Sequence, residues 1–530
     1  MQIIRKTIGG LLEEIAATYP QRDALIQAEM GIRYNFEGLS QEINRSARGF
    51  ISKGVKSGDK IAIWAHNSAE WLLSFLGLIK IGAIAVPIDP NATVENLHYI
   101  LEQSECCGLI ISGGSLHKKY AEMALAAKKR MTSLQFIFVL GKAATEEMID
   151  WVELSDMAKR VENSTLSERA QAVDARNPMA IMYTSGTTGQ PKGVVLDHLG
   201  LINKSMVSTE RQGITHKDRL CLFFPLFHMF GNTCIALAGL LRGAAIIMPC
   251  ETFEPPKVLR AILQERCTAI YGSPSMLIAL IDHPEFKKED WRTVSKGTIG
   301  GAPCPMELMR RIVEDIGVSD ITVSYGITET SSWITMTHPT DPIQLRVSTI
   351  GTPLPCNEIK IIDPRTGEQL PPNRQGELCT RGFLMKEYYK MPAATAAAID
   401  RDQWFHTGDL GEINDQGYVK ITGRLKDVIV RDGVDIFPVE VEEIIYRLSE
   451  ISEVQVFGFP HPERGQEVAA WVKLKEGVKL SLDSLAAHVE THLPETKWPK
   501  HYKIVSNFPM TGSGKIQKFK LSEMGQKEYQ

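Results

Sequence analysis

The chain holds 530 residues and 59.0 kDa, with 59 Lys+Arg against 63 Asp+Glu and a formal net charge of −4. That length exceeds one ordinary core, so at least two domains are expected, and 43% hydrophobic with 23% charged residues describes a globular protein, not a disordered or fibrous one. A pI near 6.4 excludes general nucleic-acid binding, which needs a basic surface to displace counterions.

Met1-Gln-Ile-Ile-Arg-Lys-Thr7 lacks the charged-then-apolar pattern of a secretory leader. The apolar stretch from Trp71 to Ile88 carries Lys80, and Ile235 to Met248 is short and contains Arg242, so both read as buried core and no membrane span is expected. Nine cysteines are scattered without a C-x-x-C pair, which points to reduced thiols and a cytoplasmic protein.

In chain order, Ile8–Tyr19 and Leu39–Lys53 have amphipathic helical periods, Lys60–Ala65 is a strand, Ala69–Ile79 a buried helix and Ala83–Ile88 a second strand. Strand–helix–strand spacing of this kind implies right-handed crossovers and a parallel sheet covered on both faces. Gly108–Ser112 and Phe136–Leu140 repeat the buried-strand pattern, and Ala269–Pro274 and Thr298–Gly301 are strand-to-loop transitions. Residues 351–425 turn richer in Gly, Pro and short β segments, as in Glu358–Asp363 and Gly376–Arg381, and read as a small β-rich subdomain. About 100 residues then form an α+β segment of small-domain size, with a helix at Val439–Leu448 and strands at Val454–Gly458 and Ala469–Leu474. The expected fold is α/β: a large N-terminal body (1–425) of stacked mixed and parallel sheets covered by helices, then a small mobile α+β domain (426–530).

The chemistry concentrates in a few strings. Met182-Tyr-Thr-Ser-Gly-Thr-Thr-Gly-Gln-Pro-Lys-Gly193 packs hydroxyls, glycines and one lysine behind an apolar strand. Glycines let backbone N–H groups converge on an anion, and hydroxyls and an ammonium add donors, so this is a polyphosphate-binding composition. It is not the nucleotide-kinase P-loop, because Lys192 follows Pro191 and not the last glycine of that motif. Gly300-Gly-Ala-Pro303 and Ser324-Tyr-Gly-Ile-Thr-Glu329 each follow a strand, where loops face the ligand crevice of an open α/β sheet. An exposed Tyr there offers a flat face for a purine, and an acid offers oxygens to Mg²⁺. Trp404-Phe-His-Thr-Gly-Asp-Leu-Gly411 and Gly423-Arg-Leu-Lys-Asp427 add a carboxylate suited to two ribose hydroxyls and a fixed cation. From Lys497 to the end there are 7 Lys against 2 Glu, a net of +5 suited to the phosphates of ATP or CoA.

With Pro225-Leu-Phe-His-Met-Phe-Gly231 and Pro509-Met-Thr-Gly-Ser-Gly-Lys515, these strings resemble, in order and nearly end to end, the acyl-adenylate-forming superfamily of acyl-CoA synthetases, luciferases and peptide-synthetase adenylation domains. The nearest resemblance is to medium-chain and aryl acyl-CoA ligases. It implies a reaction of a carboxylate with MgATP and then CoA, with ATP, Mg²⁺ and CoA as cofactors. Thr184, Ser185, Gly186, Thr187, Thr188 and Lys192 would hold phosphates, and Gly301, Ala302, Pro303, Ser324, Tyr325 and Gly326 the adenosine, with Tyr325 on adenine. Thr328 would meet the α-phosphate, Glu329 the metal, and Asp409 and Arg424 the ribose and phosphate. Lys515 would contact the substrate carboxylate and α-phosphate in adenylation. Lys426 would be the hinge about which the C-terminal domain rotates, and Gly433 would line the CoA tunnel, where Val434 and Asp435 depart from the usual residues.

Acetate-specific relatives carry Trp two residues before the motif Thr; Gly326 stands there and leaves a deeper acyl pocket. His228, Met229, Phe230, Gly231 and Trp333 supply its walls, with His228 a catalytic-side gate, and no basic residue lines these segments. The expected substrate is an apolar monocarboxylate: medium-chain, alicyclic or aromatic. A freestanding enzyme loading a carrier protein, an oxygenase of the luciferase kind, and a non-catalytic acyl-adenylate sensor are the rivals; the presence of Lys515, Glu329 and Asp409 disfavours the last. The acid itself and any homo-oligomer stay open.

Overall fold

Strands buried on both faces read as unbroken apolar runs, and the runs at Lys60–Trp64, Ile84–Pro87, Gly108–Ser112 and Phe136–Leu140 pair in parallel as that pattern requires. In this computed structural model residues 2–113, 118–143, 145–184, 190–510 and 516–529 are described. The parallel run widens into an eight-stranded sheet by adding Pro178–Thr184, Lys192–Asp197 and Glu387–Tyr388 on one side and Ile149–Asp150 on the other. A nine-stranded sheet has a parallel centre, including Arg219–Cys221, Ala245–Met248, Ala269–Gly272, Lys296–Gly300 and Asp320–Ile327, and antiparallel edges.

The helix Ala69–Lys80 explains the first long apolar stretch. It packs on strands of both sheets, so nearly every side chain is buried. Each full burial of a Leu or Phe there contributes about 1.5–3 kcal/mol. Ser68 caps its start by accepting from Trp71 N at 3.1 Å, and Lys80, 5% exposed, ends it in an ion pair with Glu13. The second apolar stretch divides into a wide-turned helix, Phe230–Leu237, and the strand Ala245–Met248. Among the described residues no helix is long and apolar enough to cross a membrane. None of the nine cysteines is in a disulfide.

The chain separates into two compact units: Met1–Glu358 with Arg381–Gln403, and Ile359–Thr380 with Trp404–Gln530. This grouping differs from a linear cut at 425. Gly376–Arg381, Phe405–Ile413 and Val419–Arg424 form one antiparallel sheet, which carries most of the β-rich segment into the second unit. The intervening 381–403 returns to the first unit because Glu387–Tyr388 pairs with Val194–Val195.

The rest of the second unit is built on the long hairpin Ile451–His461 and Gly465–Leu474. Period-two alternation splits its side chains. Val454, Val456, Val468, Ala470 and Val472 meet Val441 and Ile445 of the helix Pro438–Ile445 and Leu485 and Val489 of Leu482–His492. Phe457, Phe459, Ala469 and Trp471 meet Leu521 of the helix Lys518–Tyr529. Arg431 is buried here, donating to Glu467 at 2.7 Å and to the carbonyls of Thr496 and Trp498 at 2.7 and 2.8 Å.

Candidate active site

The glycine-rich string begins at the end of a strand and returns into its neighbour: Pro178–Thr184 pairs antiparallel with Lys192–Asp197, and Thr184 lies opposite Lys192. Ser185, Gly186, Thr187 and Thr188 lie outside the described residues, as does Lys515. The flanks are held by polar contacts. Tyr99 donates to Pro191 O at 3.0 Å, Tyr183 donates to Gln103, and Gln103 Nε2 donates to Tyr389 O at 2.6 Å.

The Lys192 ammonium lies over the ring of Tyr388, 4.8 Å from its centroid, and the Tyr388 hydroxyl donates to Glu329 Oε1 at 2.8 Å. Met385 N also donates to Glu329 O at 2.6 Å. One buried tyrosine thus ties the glycine-string cation to the candidate metal acid. Burial, then the adjacent Glu329, pushes the Tyr388 phenol far up, so it stays a hydrogen-bond donor. Tyr388 was not among the residues expected from sequence. Its signal is the pair Tyr388-Tyr389, which a strand's alternation sends to opposite faces.

Gly300 ends one parallel strand level with Ser324 on the next, at the carboxyl edge where ligands of such sheets bind. Gly301, Ala302 and Pro303 are exposed, Ser324 is buried with no partner for Oγ among the described residues, and Tyr325, Gly326, Thr328 and Glu329 are half-buried. Immediately after Glu329 the backbone is strained, with φ +57° at Ser331 and +121° at Ser332. Strain of this kind collects at functional sites and persists because neighbours over-determine it; here Thr330 Oγ1 is 2.9 Å from both Ile327 O and Ser332 O. Gly326 is pressed against this turn, since a Cβ added there would stand 2.2 Å from Ser332 O. The backbone packing therefore admits no side chain at 326.

Of the candidate acyl-wall residues, Phe230 and Trp333 are brought into contact. Phe230 packs tilted against Phe224 at 4.5 Å and meets Trp333 edge-on at 5.0 Å, while His228 lies 5.6 Å from Phe224 and accepts from Phe230 N at 3.1 Å. Gly231 abuts Pro225 O, and Met229, Phe230 and Trp333 are buried. Asn67 sets this segment, donating to Phe224 O and accepting from Leu226 N at 3.0 and 2.8 Å. These segments themselves carry no basic residue, but one reaches them from elsewhere in the chain. Lys204, from the helix His198–Arg211, donates to Trp333 O at 3.2 Å. Reading wall segments alone could not find it, because it comes from a different helix.

In the second unit, Asp409 is 4% exposed and pairs across the sheet with Arg424, whose Nε lies 3.0 Å from Oδ1. The turn before Asp409 is clamped. Glu377 accepts from Gly408 N at 3.1 Å and lies 3.1 Å from His406 Nδ1, and Thr407 Oγ1 accepts from Asp409 N at 3.0 Å and donates to Leu378 O. Gly408 takes φ +69°, a conformation that favours glycine. Lys426 is exposed in the turn Leu425–Asp427, and partial desolvation of its ammonium draws its pKa down. Gly433, at φ +77°, turns the chain between Ile429–Arg431 and Val434–Ile436. Asp435 is held by Arg365 at 3.0 Å and Val434 is exposed.

Glu329, oriented by Tyr388, offers the kind of carboxylate oxygen that Mg²⁺ takes. The chain matches the AMP-binding enzyme family over residues 12–389 and the AMP-binding enzyme C-terminal domain over 440–515. It is 39% identical to a putative acyl-CoA synthetase, YngI, of Bacillus subtilis, over 98% of this chain and 97% of that one. It is 33% identical to the mitochondrial medium-chain acyl-CoA ligase ACSF2 of Homo sapiens, over 98% and 87%. Its fold superposes on ATP-bound MatB from Rhodopseudomonas palustris with a TM-score of 0.84 at 25% identity, covering 98% of this chain and 100% of that one. It also superposes on the anthranilate CoA ligase AuaEII in complex with anthranoyl-AMP with a TM-score of 0.86 at 23% identity, covering 99% and 98%. The chain belongs to the AMP-binding enzyme family, among the acyl-CoA ligases of the adenylate-forming superfamily.

Proposed function

We propose that the enzyme activates a largely apolar carboxylic acid, medium-chain, alicyclic or aromatic, in two half-reactions. A carboxylate oxygen attacks the α-phosphorus of ATP, and the bond to pyrophosphate breaks with its electron pair. The thiolate of CoA then attacks the acyl carbon and AMP leaves.

Thr184, Ser185, Gly186, Thr187, Thr188 and Lys192 hold the leaving phosphates, and Tyr325 stacks on adenine with Gly301, Ala302, Pro303, Ser324 and Gly326 around it. Thr328 binds the α-phosphate. Glu329 holds Mg²⁺, which when bound neutralises phosphate charge. Asp409 accepts from both ribose hydroxyls and Arg424 bridges ribose and phosphate. Lys515 stabilises the charge that builds on the five-coordinate phosphorus. His228 gates the acyl pocket. Rotation of the second domain about Lys426 exchanges Lys515 for the segment led by Gly433, where a glycine leaves room for pantetheine. Nine cysteines with no disulfide among them suit a reducing, cytoplasmic setting.

The observation that carries this reading is the Lys192–Tyr388–Glu329 contact, which couples a phosphate-binding cation to a metal-binding acid. The test measures pyrophosphate release with a carboxylate panel, then AMP release with CoA against a carrier-protein acceptor. Acyl-CoA formation with apolar acids is expected. AMP release that needs the carrier protein and ignores CoA would replace the ligase reading.

A further inference from the structure

Lys204 is 1% exposed, among the largest fully buried side chains. Lysine is almost never buried so fully without a carboxylate, yet among the described residues none pairs with it. Its Nζ donates to Trp333 O and to the side-chain oxygen of Asn357, which uses two of the ammonium's three N–H groups. Two neutral oxygens do not offset the burial of a full charge. Accordingly, burial draws its pKa down to about 7.

Its surroundings are the acyl walls. The helix His198–Arg211 packs on the strand Ser332–Met336 and on the segment Phe230–Leu237, and these two pack on each other. Cys234 is buried one turn after Phe230 on the same helical segment. The Lys204 ammonium acts on that thiol, opposing the upward push that burial exerts.

We propose that Lys204 is a specificity residue at the deep end of the acyl pocket, binding an oxygen acceptor carried by the substrate acid opposite its reacting carboxylate. The proposal rests on the acyl-pocket reading above and refines it: the body of the acid is apolar and its far end is oxygenated. A third N–H and an uncompensated charge favour an acid that brings its own acceptor, and a plain alkyl end leaves that donor unmet.

The test compares octanoate, ω-hydroxyoctanoate and octanedioate, and phenylpropanoate with its para-hydroxy counterpart, by pyrophosphate release. At least one oxygenated acid is expected to exceed its plain partner in kcat/KM by about tenfold, and Lys204→Met to lower that ratio by a similar factor. Preference for the hydroxy acids marks a neutral acceptor, and preference for octanedioate an anionic one. The ratio is taken within one preparation, so loss of folded enzyme cancels, and Lys204→Gln, which keeps donors without charge, should give an intermediate ratio. Plain acids preferred by wild type, or a ratio unchanged in both variants, overturns the proposal. No pyrophosphate release with any acid would instead fault the ligase reading beneath it.

Discussion

The hydroxyl of Tyr388 donates to Glu329 Oε1 at 2.8 Å, across 59 residues of sequence. The same ring carries the Lys192 ammonium, so orientation of the acid and placement of the cation depend on one side chain. Tyr388→Phe keeps the ring and removes only the donor. A hydrogen bond to a charged group contributes about 1.5–3 kcal/mol, so ATP-dependent kcat/KM should fall by about ten- to a hundredfold with the melting temperature little changed. Unchanged dependence on Mg²⁺ and ATP concentration would show that Glu329 needs no such support.

Lys515→Ala should slow adenylation by about 10²–10³, the loss expected from removing one preorganised charge at the transition state. Thioester formation from supplied acyl-AMP should proceed at the wild-type rate. Single-turnover measurement of each half-reaction separates the two; equal loss in both would remove the division of labour assigned to Lys515.

Glu377 grips the turn that presents Asp409 through Gly408 N and His406. It touches no reacting atom, so Glu377→Ala should raise KM for ATP by about tenfold, equivalent to 1–2 kcal/mol, and lower kcat less. Glu377→Gln, which keeps an acceptor for Gly408 N, should recover part of the loss. A fall in kcat alone would contradict a positioning role.

Gly326→Ala places a methyl 2.2 Å from Ser332 O, in a turn already strained at Ser331 and Ser332. Overpacking of this kind costs about 1–3 kcal/mol, to be read as a lowered denaturation midpoint. A midpoint equal to wild type would mean that the turn yields without cost.

Stability should depend on pH through Lys204. Its folded-state pKa of about 7 lies below the ordinary lysine value of 10.5, so between these values the unfolded chain binds more protons than the folded one. Stability from this residue therefore rises as pH rises from about 7 towards 10 and is lost as pH falls through that window. Denaturant unfolding at a series of pH values should show this slope in wild type and a flatter one in Lys204→Met. Parallel profiles would mean that Lys204 keeps its charge when folded.

What could be read from sequence was local. The apolar runs of Lys60–Trp64 and Gly108–Ser112 fold as parallel strands because both of their faces are covered, and the strings around Thr184 and Tyr325 stand at strand ends. Tyr388, Glu377 and Lys204 were not legible, since each acts on a partner supplied by strand pairing or helix packing far along the chain. Lys204 and Trp333 are 129 residues apart, and no periodicity within either segment points to the other. The unit boundary escaped for the same reason: only the pairing of Gly376–Arg381 with Phe405–Ile413 assigns those strands to the second unit, whereas 381–403 between them returns to the first.

Arg431 has a mechanical consequence. Its guanidinium draws Glu467 and the carbonyls of Thr496 and Trp498 onto a strand that ends two residues before Gly433. Backbone carbonyls give no slack, because they cannot swing away as a surface side chain does. The turn at Gly433 and the stretch around Thr496 are therefore geared together, and torque applied at one is delivered to the other without play.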